Sequence, residues 1–196
     1  LKEVSFIMKE YKKTGYLNND FKIFHLIDWG MAPVNFHFHE FHKILILLKG
    51  NVSYCIEGRS YDLQPDDVVF VPAGEVHCPI IHDQNTYERI IIYISKGYLD
   101  GYRTDSYDLS QCLSEAHQKQ SHVLRIPAFR TSKLGQIVRE LEHSLDSKEY
   151  ANELYHNLLF LEFQQQHPVE GIETRFQFGS LLIRPLGPQF HDKGQC

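Results

Sequence analysis

The sequence predicts a mainly β fold, a barrel or sandwich of short strands, followed by a pair of α-helices. In the first half of the chain, short apolar and β-branched runs alternate with tight-turn signals. In the second half, apolar residues recur at steps of three and four, which is the period of an amphipathic helix. The longest uninterrupted apolar run, Ile44–Leu48, is far too short to cross a bilayer, so we expect no membrane partner.

The composition is that of one large folded domain, or of one domain with an appendage. The chain has 196 residues, of which 20 are basic and 25 acidic, giving a net charge of −5. A mildly acidic chain does not resemble a nucleic-acid-binding module, which usually has a basic face. The N-terminal residues lack the pattern of a signal peptide. The four cysteines are too far apart for a Cys-x-x-Cys site, so we expect a reducing, cytoplasmic location.

Six strands are expected, and turn residues separate most of them. Glycine and aspartate at Lys49–Asn51, Glu57–Gly58 and Pro65–Asp67 predict turns, and Pro72–Gly74 predicts another. The expected strands are Phe21–Ile27, Lys43–Leu48, Val52–Ile56, Ser60–Leu63, Val68–Val71 and Tyr87–Ile94.

Two helices are expected after the strands. The first enters at Thr131 or Ser132 as N-cap, and the second runs from about Glu149 to Gln166, before Pro168. The short connection predicts an antiparallel hairpin. A weaker helical pattern covers 109–119. The apolar stripe of the first helix is either a dimerisation seam or the face packed on the barrel. Its residues are Leu134, Ile137, Val138, Leu141 and Leu145.

The pattern divides the chain into three segments. Residues 1–100 are expected to form the barrel and 101–168 the helical segment with the dimerisation role. The tail, 169–196, is rich in glycine and proline and looks irregular, apart from a candidate strand at Phe176–Ile183.

Two segments containing histidine are candidates for a binding site. His37 and His39 stand two residues apart at the start of a strand, so their side chains share a face, which Lys43 also shares. The second segment begins at Pro72 and ends at His77. Its proline and glycine predict a tight turn that directs a third imidazole toward the first two.

These segments resemble the two motifs of the cupin superfamily in order and separation. In the first motif His37, His39 and Gly50 match. Lys43 stands where the family has a glutamate, and Gly30 comes one residue early.

In the second cupin motif Pro72, Gly74 and His77 match. Asp66 occupies the position of the leading glycine, and Ile81 that of the closing asparagine. The resemblance implies a double-stranded β-helix, or jelly-roll, barrel over about residues 21–95.

A narrower resemblance is to the sensor domain of AraC/XylS-type transcription regulators. The segments that look like it are His37–Glu40, Ile56–Tyr61, Asp66–Pro72 and Tyr87–Tyr93. The resemblance implies a cupin barrel that binds a small-molecule effector and a helical pair that forms a homodimer. In that family two helix-turn-helix units read DNA, and no such pattern follows residue 171. We therefore expect DNA contact only through a part outside this chain. The alternative is a metal-dependent cupin enzyme, a dioxygenase or an isomerase.

The three histidines, His37, His39 and His77, have two interpretations. They form a three-imidazole metal site, or they line a pocket for an organic ligand and are hydrogen-bonded within the barrel. Lys43 favours the second, because an ammonium group in place of a carboxylate puts a like charge beside a divalent cation. A sensor needs no cofactor, although three neutral imidazoles could still hold Zn²⁺ or Ni²⁺.

Two further residues are candidate ligand contacts for an effector that is a sugar or a small acid. Lys43 pairs either with an acidic ligand or with Glu88 in an internal ion pair, since a buried unpaired lysine is costly. Trp29, the one tryptophan, stacks either on a ligand or in the core, which is the commoner fate of a lone tryptophan.

Overall fold

Two sheets built largely of antiparallel strands form a barrel in the computed structural model, and a helical hairpin packs on its outside. The structure describes residues 11–29, 34–126, 128–144, 147–166 and 184–185. This arrangement confirms the predicted mainly β barrel followed by helices. Within the described residues, every helix is too short or too polar to cross a membrane.

The described elements follow the predicted order, and five further strands and one short helix lie before, between and after the predicted ones. The strands are β1 (Lys12–Lys13), β2 (Phe21–Trp29), β3 (His37–Phe38), β4 (His42–Lys49), β5 (Val52–Ile56), β6 (Arg59–Asp62), β7 (Val68–Val71), β8 (His77–Ile81), β9 (Thr86–Ile94), β10 (Val123–Arg125) and β11 (Arg184–Pro185). The helices are α1 (Lys96–Asp100), α2 (Gln111–Lys119), α3 (Lys133–Ser144) and α4 (Asn152–Gln165).

The strands of the barrel are hydrogen-bonded into a five-stranded and a six-stranded sheet. One sheet has the order β1-β3-β8-β5-β6, and the other has β11-β10-β7-β4-β9-β2. The long antiparallel pair of β2 and β9 aligns all nine residues of each strand. Strand β4 lies between β7 and β9 in the middle of the larger sheet, so both of its edges are hydrogen-bonded.

Strand β4 supplies side chains to two separate apolar clusters. Leu45 and Leu47 face the barrel interior with Tyr54. Ile44 and Ile46 face outward into the cluster that includes the helices. The alternation is the period of two expected for a strand, and here both faces are buried because helices cover the outside.

Two turns show why particular residue types stand where they do. Glu57 and Gly58 join β5 to β6 with positive φ angles of 48° and 78°, as a two-residue hairpin turn requires. Asp66 has φ of 74°, which aspartate tolerates better than most residues. The position at which the cupin motif has glycine therefore retains the backbone conformation that favours glycine.

The apolar stripe of α3 is buried in the core of this chain. Leu134, Ile137, Val138 and Leu141 are each at most 5% exposed and belong to the cluster on the outer face of the larger sheet. Their expected role as a dimerisation seam is therefore corrected, because a side chain packed on the barrel is not available to a second copy. Leu145 lies outside the described residues.

The two long helices form the predicted antiparallel hairpin. Lys133 near the start of α3 pairs with Glu162 near the end of α4, with 2.7 Å between nitrogen and oxygen. At the other end, the Asn152 amide donates to the Ser144 carbonyl oxygen at 2.9 Å. Helix α4 begins at Asn152, a few residues later than predicted.

The barrel extends into the segment that was expected to be helical. Strand β10, which the sequence pattern did not predict, pairs with β7. Its Arg125 makes two hydrogen bonds to the fully buried carboxylate of Asp67, at 2.7 and 2.6 Å. From the tail, Arg184–Pro185 pairs with β10. The predicted strand at Phe176–Ile183 lies outside the described residues.

One histidine connects the barrel to α3. His25 on β2 lies with Nε2 2.9 Å from Glu88 of β9 and with Nδ1 2.5 Å from Glu142 of α3. Gly135 lets α3 approach the preceding 3₁₀ turn, because a Cβ atom at this position would overlap the backbone oxygen of Phe129. The helix and the sheet are therefore held together by polar as well as apolar contacts.

The burial of α3 predicts a large effect for Leu141→Ala. The substitution leaves a cavity in the core, and we expect the free energy of unfolding to fall by about 2–5 kcal/mol. Gln136→Ala on the exposed face of α3 removes a side chain outside the core and should cost about 0.5 kcal/mol or less. Urea unfolding of the two variants checks this, and equal losses of stability would contradict the assignment of α3 to the core.

Candidate functional site

Strands β3 and β8 bring the three predicted histidines together. His37 on β3 and His77 on β8 are direct partners across the ladder. His39 follows β3, and its carbonyl oxygen accepts a hydrogen bond of 2.8 Å from the backbone N–H of Gly74. Because Gly74 has φ of 95°, the turn that leads to His77 depends on glycine. The two motifs are thus joined by backbone hydrogen bonds.

The three imidazoles converge on one point at the mouth of the barrel. Their ring centroids are 4.5 Å apart for His37 and His77, and 5.0 Å for each of the other two pairs. One ligand atom from each ring lies within 4.8 Å of the others. The structure confirms that the residues meet, as their positions in the sequence predict.

Each imidazole is oriented by a backbone carbonyl group. The Nδ1 atoms of His37, His39 and His77 donate to the carbonyl oxygens of Asn35, Thr14 and Glu75 at 2.7, 2.6 and 3.0 Å. A carbonyl oxygen only accepts, so Nδ1 carries the proton and Nε2 keeps its lone pair in a neutral ring. All three rings therefore have the same tautomer.

Burial keeps these rings neutral. It lowers the pKa of His39 to about 4 and that of His77 to about 2, and it also lowers the pKa of His37. The nearby Lys43 ammonium lowers all three further, whereas the carbonyl hydrogen bonds raise them. The Nε2 atoms of His39 and His77 are buried and have no hydrogen-bond partner. A buried acceptor without a partner is costly, so these two atoms are candidate ligand-binding atoms.

The donor set fits a divalent transition metal. Three neutral imidazoles that lie close together, each held by a hydrogen bond at Nδ1 and with an Nε2 lone pair available to a ligand, are what Zn²⁺ or Ni²⁺ binds in proteins. The carboxylate that would reduce the charge of such a site is replaced here by Lys43. His37, His39 and His77 could therefore hold a metal. The residue at the position of the missing carboxylate, Lys43, carries a basic side chain instead.

Lys43 projects into the barrel interior beside the histidines. It is 5% exposed, and its Nζ atom donates to the hydroxyl oxygen of Tyr54 at 2.8 Å. The Tyr54 ring in turn lies parallel to His77, at 5.9 Å between centroids and 15° between planes. Burial, with a smaller contribution from Arg89, lowers the pKa of Lys43 from 10.5 to about 7.

The expected ion pair between Lys43 and Glu88 is wrong. The Glu88 carboxylate accepts from His25 on the outside of the barrel, whereas Lys43 faces inward. The reason is parity along β9: residues 87, 89, 91 and 93 face the interior, and residue 88 faces outward. The other interpretation of Lys43, a cation that pairs with an acidic ligand, stays a prediction.

Tyr54 and Arg89 also face the interior, although neither is among the predicted site residues. Arg89 lies on the inner face of β9, with its guanidinium carbon 4.1 Å from the centroid of the Tyr87 ring and with an ion pair of 2.5 Å to Asp28. The period of two in β9 was enough to find Arg89, because Tyr87, Arg89 and Tyr93 share one parity. Alternation along β5 also places Tyr54 on an inner face. Its hydrogen bond to Lys43 joins two different strands, however, and could not be predicted from the sequence pattern.

Trp29 does not take its expected place in the core. Its side chain is 76% exposed at the end of β2, so it is outside the core. No described aromatic or hydrogen-bond contact joins it to the histidines, to Lys43 or to Tyr54. Within the described residues, the candidate site therefore consists of the three histidines, Lys43 and Tyr54, with Phe41 and Tyr93 packed around His39.

The geometry of the site agrees with a comparison of the sequence with protein families. The model of the AraC-like ligand-binding domain matches residues 24–163, which is more than half of the chain. The chain belongs to this family. The match begins within β2 and ends two residues before the end of α4, so the AraC-like domain includes the site and nearly all of the hairpin.

Several solved structures are similar to part of this AraC-like domain. One is a cupin 2 conserved barrel domain protein from Salinispora arenicola, 17% identical, covering 44% of this chain and 72% of that one, with a TM-score of 0.38. Another is the DMSP lyase of Ruegeria pomeroyi, 22% identical, covering 39% of each chain, with a TM-score of 0.36. A third is a salicylate 1,2-dioxygenase from Pseudoaminobacter salicylatoxidans, 12% identical, covering 38% and 22%, with a TM-score of 0.36. No curated protein matches the chain.

The buried ammonium of Lys43 predicts a pH-dependent stability that Lys43→Met removes. The unfolded chain holds this proton up to a higher pH than the folded chain, so folding is favoured as the pH rises from about 7 toward 10.5. Each unit between the two pKa values contributes about 1.4 kcal/mol. Methionine has no such proton, so the variant should be more stable than the wild type near neutral pH, and its advantage should shrink as the pH rises.

Urea unfolding at several pH values from about 7 to about 10 checks this prediction, because all other titrating groups are common to both proteins. A constant difference in stability over that range would show that burial does not lower the pKa of the Lys43 amine. Lys22→Met, on the exposed part of β2, is a control that should show no such trend.

Proposed function

We propose that this AraC-like domain is the effector-sensing part of a transcription regulator and has no enzymatic activity of its own. The observation that supports the proposal is the barrel interior. It contains buried Nε2 atoms without partners on His39 and His77, beside the Lys43 ammonium and several aromatic rings. These groups offer hydrogen bonding, charge and an apolar wall to a small molecule. The effector is a sugar or a small acid, and it acts in the cytoplasm.

The same proposal assigns an output to the helices. An effector in the barrel contacts the inner face of β4 and β9, whose outer face packs against α3. The contacts of His25 with Glu88 and Glu142 add a polar link between the sheet and α3. Binding would favour one arrangement of barrel and helices over another. That change would reposition a DNA-binding part outside this chain, and the domain itself makes no contact with DNA.

A thermal-shift screen of sugars and small acids tests the sensing function. A ligand present at about 100 times its Kd should stabilise the protein by about 2.7 kcal/mol and raise its Tm by about 5–10 °C. Lys43→Met and His39→Ala should reduce the shift, because both residues lie in the site. Trp29→Ala is the matched control and should leave the shift unchanged. A hit that depends on Trp29 and not on Lys43 would place the ligand elsewhere.

A metal-dependent enzyme is the second candidate function, and the three aligned histidines are the observation that favours it. A metal there would supply Lewis acidity, while the chain would contribute three imidazoles and the neighbouring Lys43 and Tyr54. Metal analysis of protein purified without an affinity tag separates the candidates. Stoichiometric iron or manganese that withstands mild chelation would overturn the proposal that the domain is a sensor with no enzymatic activity. Weakly held Zn²⁺ or Ni²⁺ is compatible with it.

We further propose that the domain forms a homodimer through α4 rather than through the stripe of α3. Leu154 and Leu158 stand one turn apart on α4 and are 60% and 56% exposed. Partly buried Leu161 continues the stripe, and Tyr155 lies next to it. Exposed leucines in a row on one helix are what a partner helix would cover.

Leu158→Glu tests the position of this dimer contact. We expect the variant to be a folded monomer, because the side chain is exposed within one chain and a charge there would oppose association. Light scattering after size-exclusion chromatography measures the mass. Gln136→Glu, which adds the same charge on the exposed face of α3, should leave the dimer intact. A Leu158→Glu dimer as stable as the wild-type dimer would reject the α4 contact.

A further inference from the structure

Two cationic side chains, Lys43 and Arg89, face the barrel interior. The Lys43 ammonium is bonded to Tyr54, and the Tyr54 ring lies against His77 of the histidine cluster. Arg89 faces the same interior from β9. Among the described residues no carboxylate lies within ion-pair distance of Lys43: Glu88 binds His25 on the outside, and Asp28 binds Arg89. The interior thus has more positive than negative charge.

A divalent cation on the histidines would add to this excess. The three imidazoles are neutral ligands and bring no negative charge to the metal. At a buried position such as that of Lys43, repulsion between the metal and a protonated amine is stronger than in bulk solvent. An anion that contacts both the metal and Lys43 removes the repulsion and supplies the negative charge that Lys43 lacks among the described residues.

The aromatic side chains that line the site favour a particular kind of group next to the carboxylate of such an anion. The ring of Phe41 stacks on His39 at 4.6 Å, and Tyr93 lies 5.6 Å from the same histidine. Tyr54 completes an aromatic lining on the side of Lys43. These surfaces suit a flat or apolar group, so a small aromatic or apolar carboxylate matches both the charge and the walls.

We propose that a divalent metal and a small carboxylate bind this barrel as co-ligands, and that Lys43 makes the binding of each depend on the other. The proposal rests on the sensing function above and names the chemistry of its effector. Because coupling between two ligands is reciprocal, the metal must raise the affinity for the acid by the same factor as the acid raises the affinity for the metal. The domain would then respond to the acid only when the metal is present.

Competition with a chromophoric chelator measures Ni²⁺ binding to the metal-free protein. The probes are acetate, benzoate and phenylacetate, with benzyl alcohol as the neutral control. We expect at least one of the two aromatic acids to lower the Kd for Ni²⁺ by about tenfold or more, and benzyl alcohol to leave it unchanged. In the reverse titration, Ni²⁺ should tighten binding of that acid by the same factor. A Kd for Ni²⁺ that none of the acids changes would overturn the proposal.

Variants of Lys43 test the source of the coupling. Lys43→Met removes the charge and keeps an unbranched side chain, so we expect it to bind Ni²⁺ more tightly than the wild type when no acid is present. The acid should no longer increase that affinity. Lys43→Arg keeps the charge and should keep the dependence on the acid. The role of Lys43 would be overturned if Lys43→Met bound Ni²⁺ as weakly as the wild type and the acid still increased its affinity for Ni²⁺.

The same measurements distinguish failure of this inference from failure of the sensing function. A compound that raises the Tm equally with and without Ni²⁺, through His39 and Lys43, would overturn the coupling and leave the sensing function in place. Stabilisation by no compound of the wider screen, together with tightly held iron or manganese, would overturn the sensing function itself.

Discussion

The strict alternation of side chains along β4 is the constraint on which the rest of the structure depends. Its inner face contributes Lys43, Leu45 and Leu47 to the barrel, and its outer face contributes Ile44 and Ile46 to the contact with the helices. A shift of one residue in register would exchange the two sets and would bury Lys43 against the helices. Pairing with β7 and β9 on both sides fixes the register, so core, site and helix contact are decided together.

Backbone groups give the site its chemical character. Three carbonyl oxygens from different parts of the chain hold three imidazoles in one tautomer, and burial keeps the rings neutral. Such rings are suited to a metal or to a hydrogen-bond donor. The ammonium of Lys43 lies within the same interior and favours an anion. A site that combines these preferences is adapted to a ligand with both polar and charged groups, and less to a bare metal.

Much of this could be predicted from local patterns. The turns at Glu57–Gly58 and Pro72–Gly74, the shared face of His37 and His39, and the helical period after residue 132 are short-range features that neighbouring residues decide. Contacts between distant segments could not be predicted in this way. Strand β10 is only three residues long, and its place depends on pairing with β7 and on the ion pair of Arg125 with Asp67.

The sequence by itself determined the class of fold, the order of the strands and helices, and the residue types that meet in the site, because periodicity and turn chemistry are local. Only the tertiary structure decided how the apolar faces are used. It buried the stripe of α3 on the barrel, left Leu154 and Leu158 of α4 exposed, and placed Glu88 and Lys43 on opposite sides of one sheet. The period of an amphipathic helix shows that one face must be covered, but the covering surface belongs to residues far away in the chain.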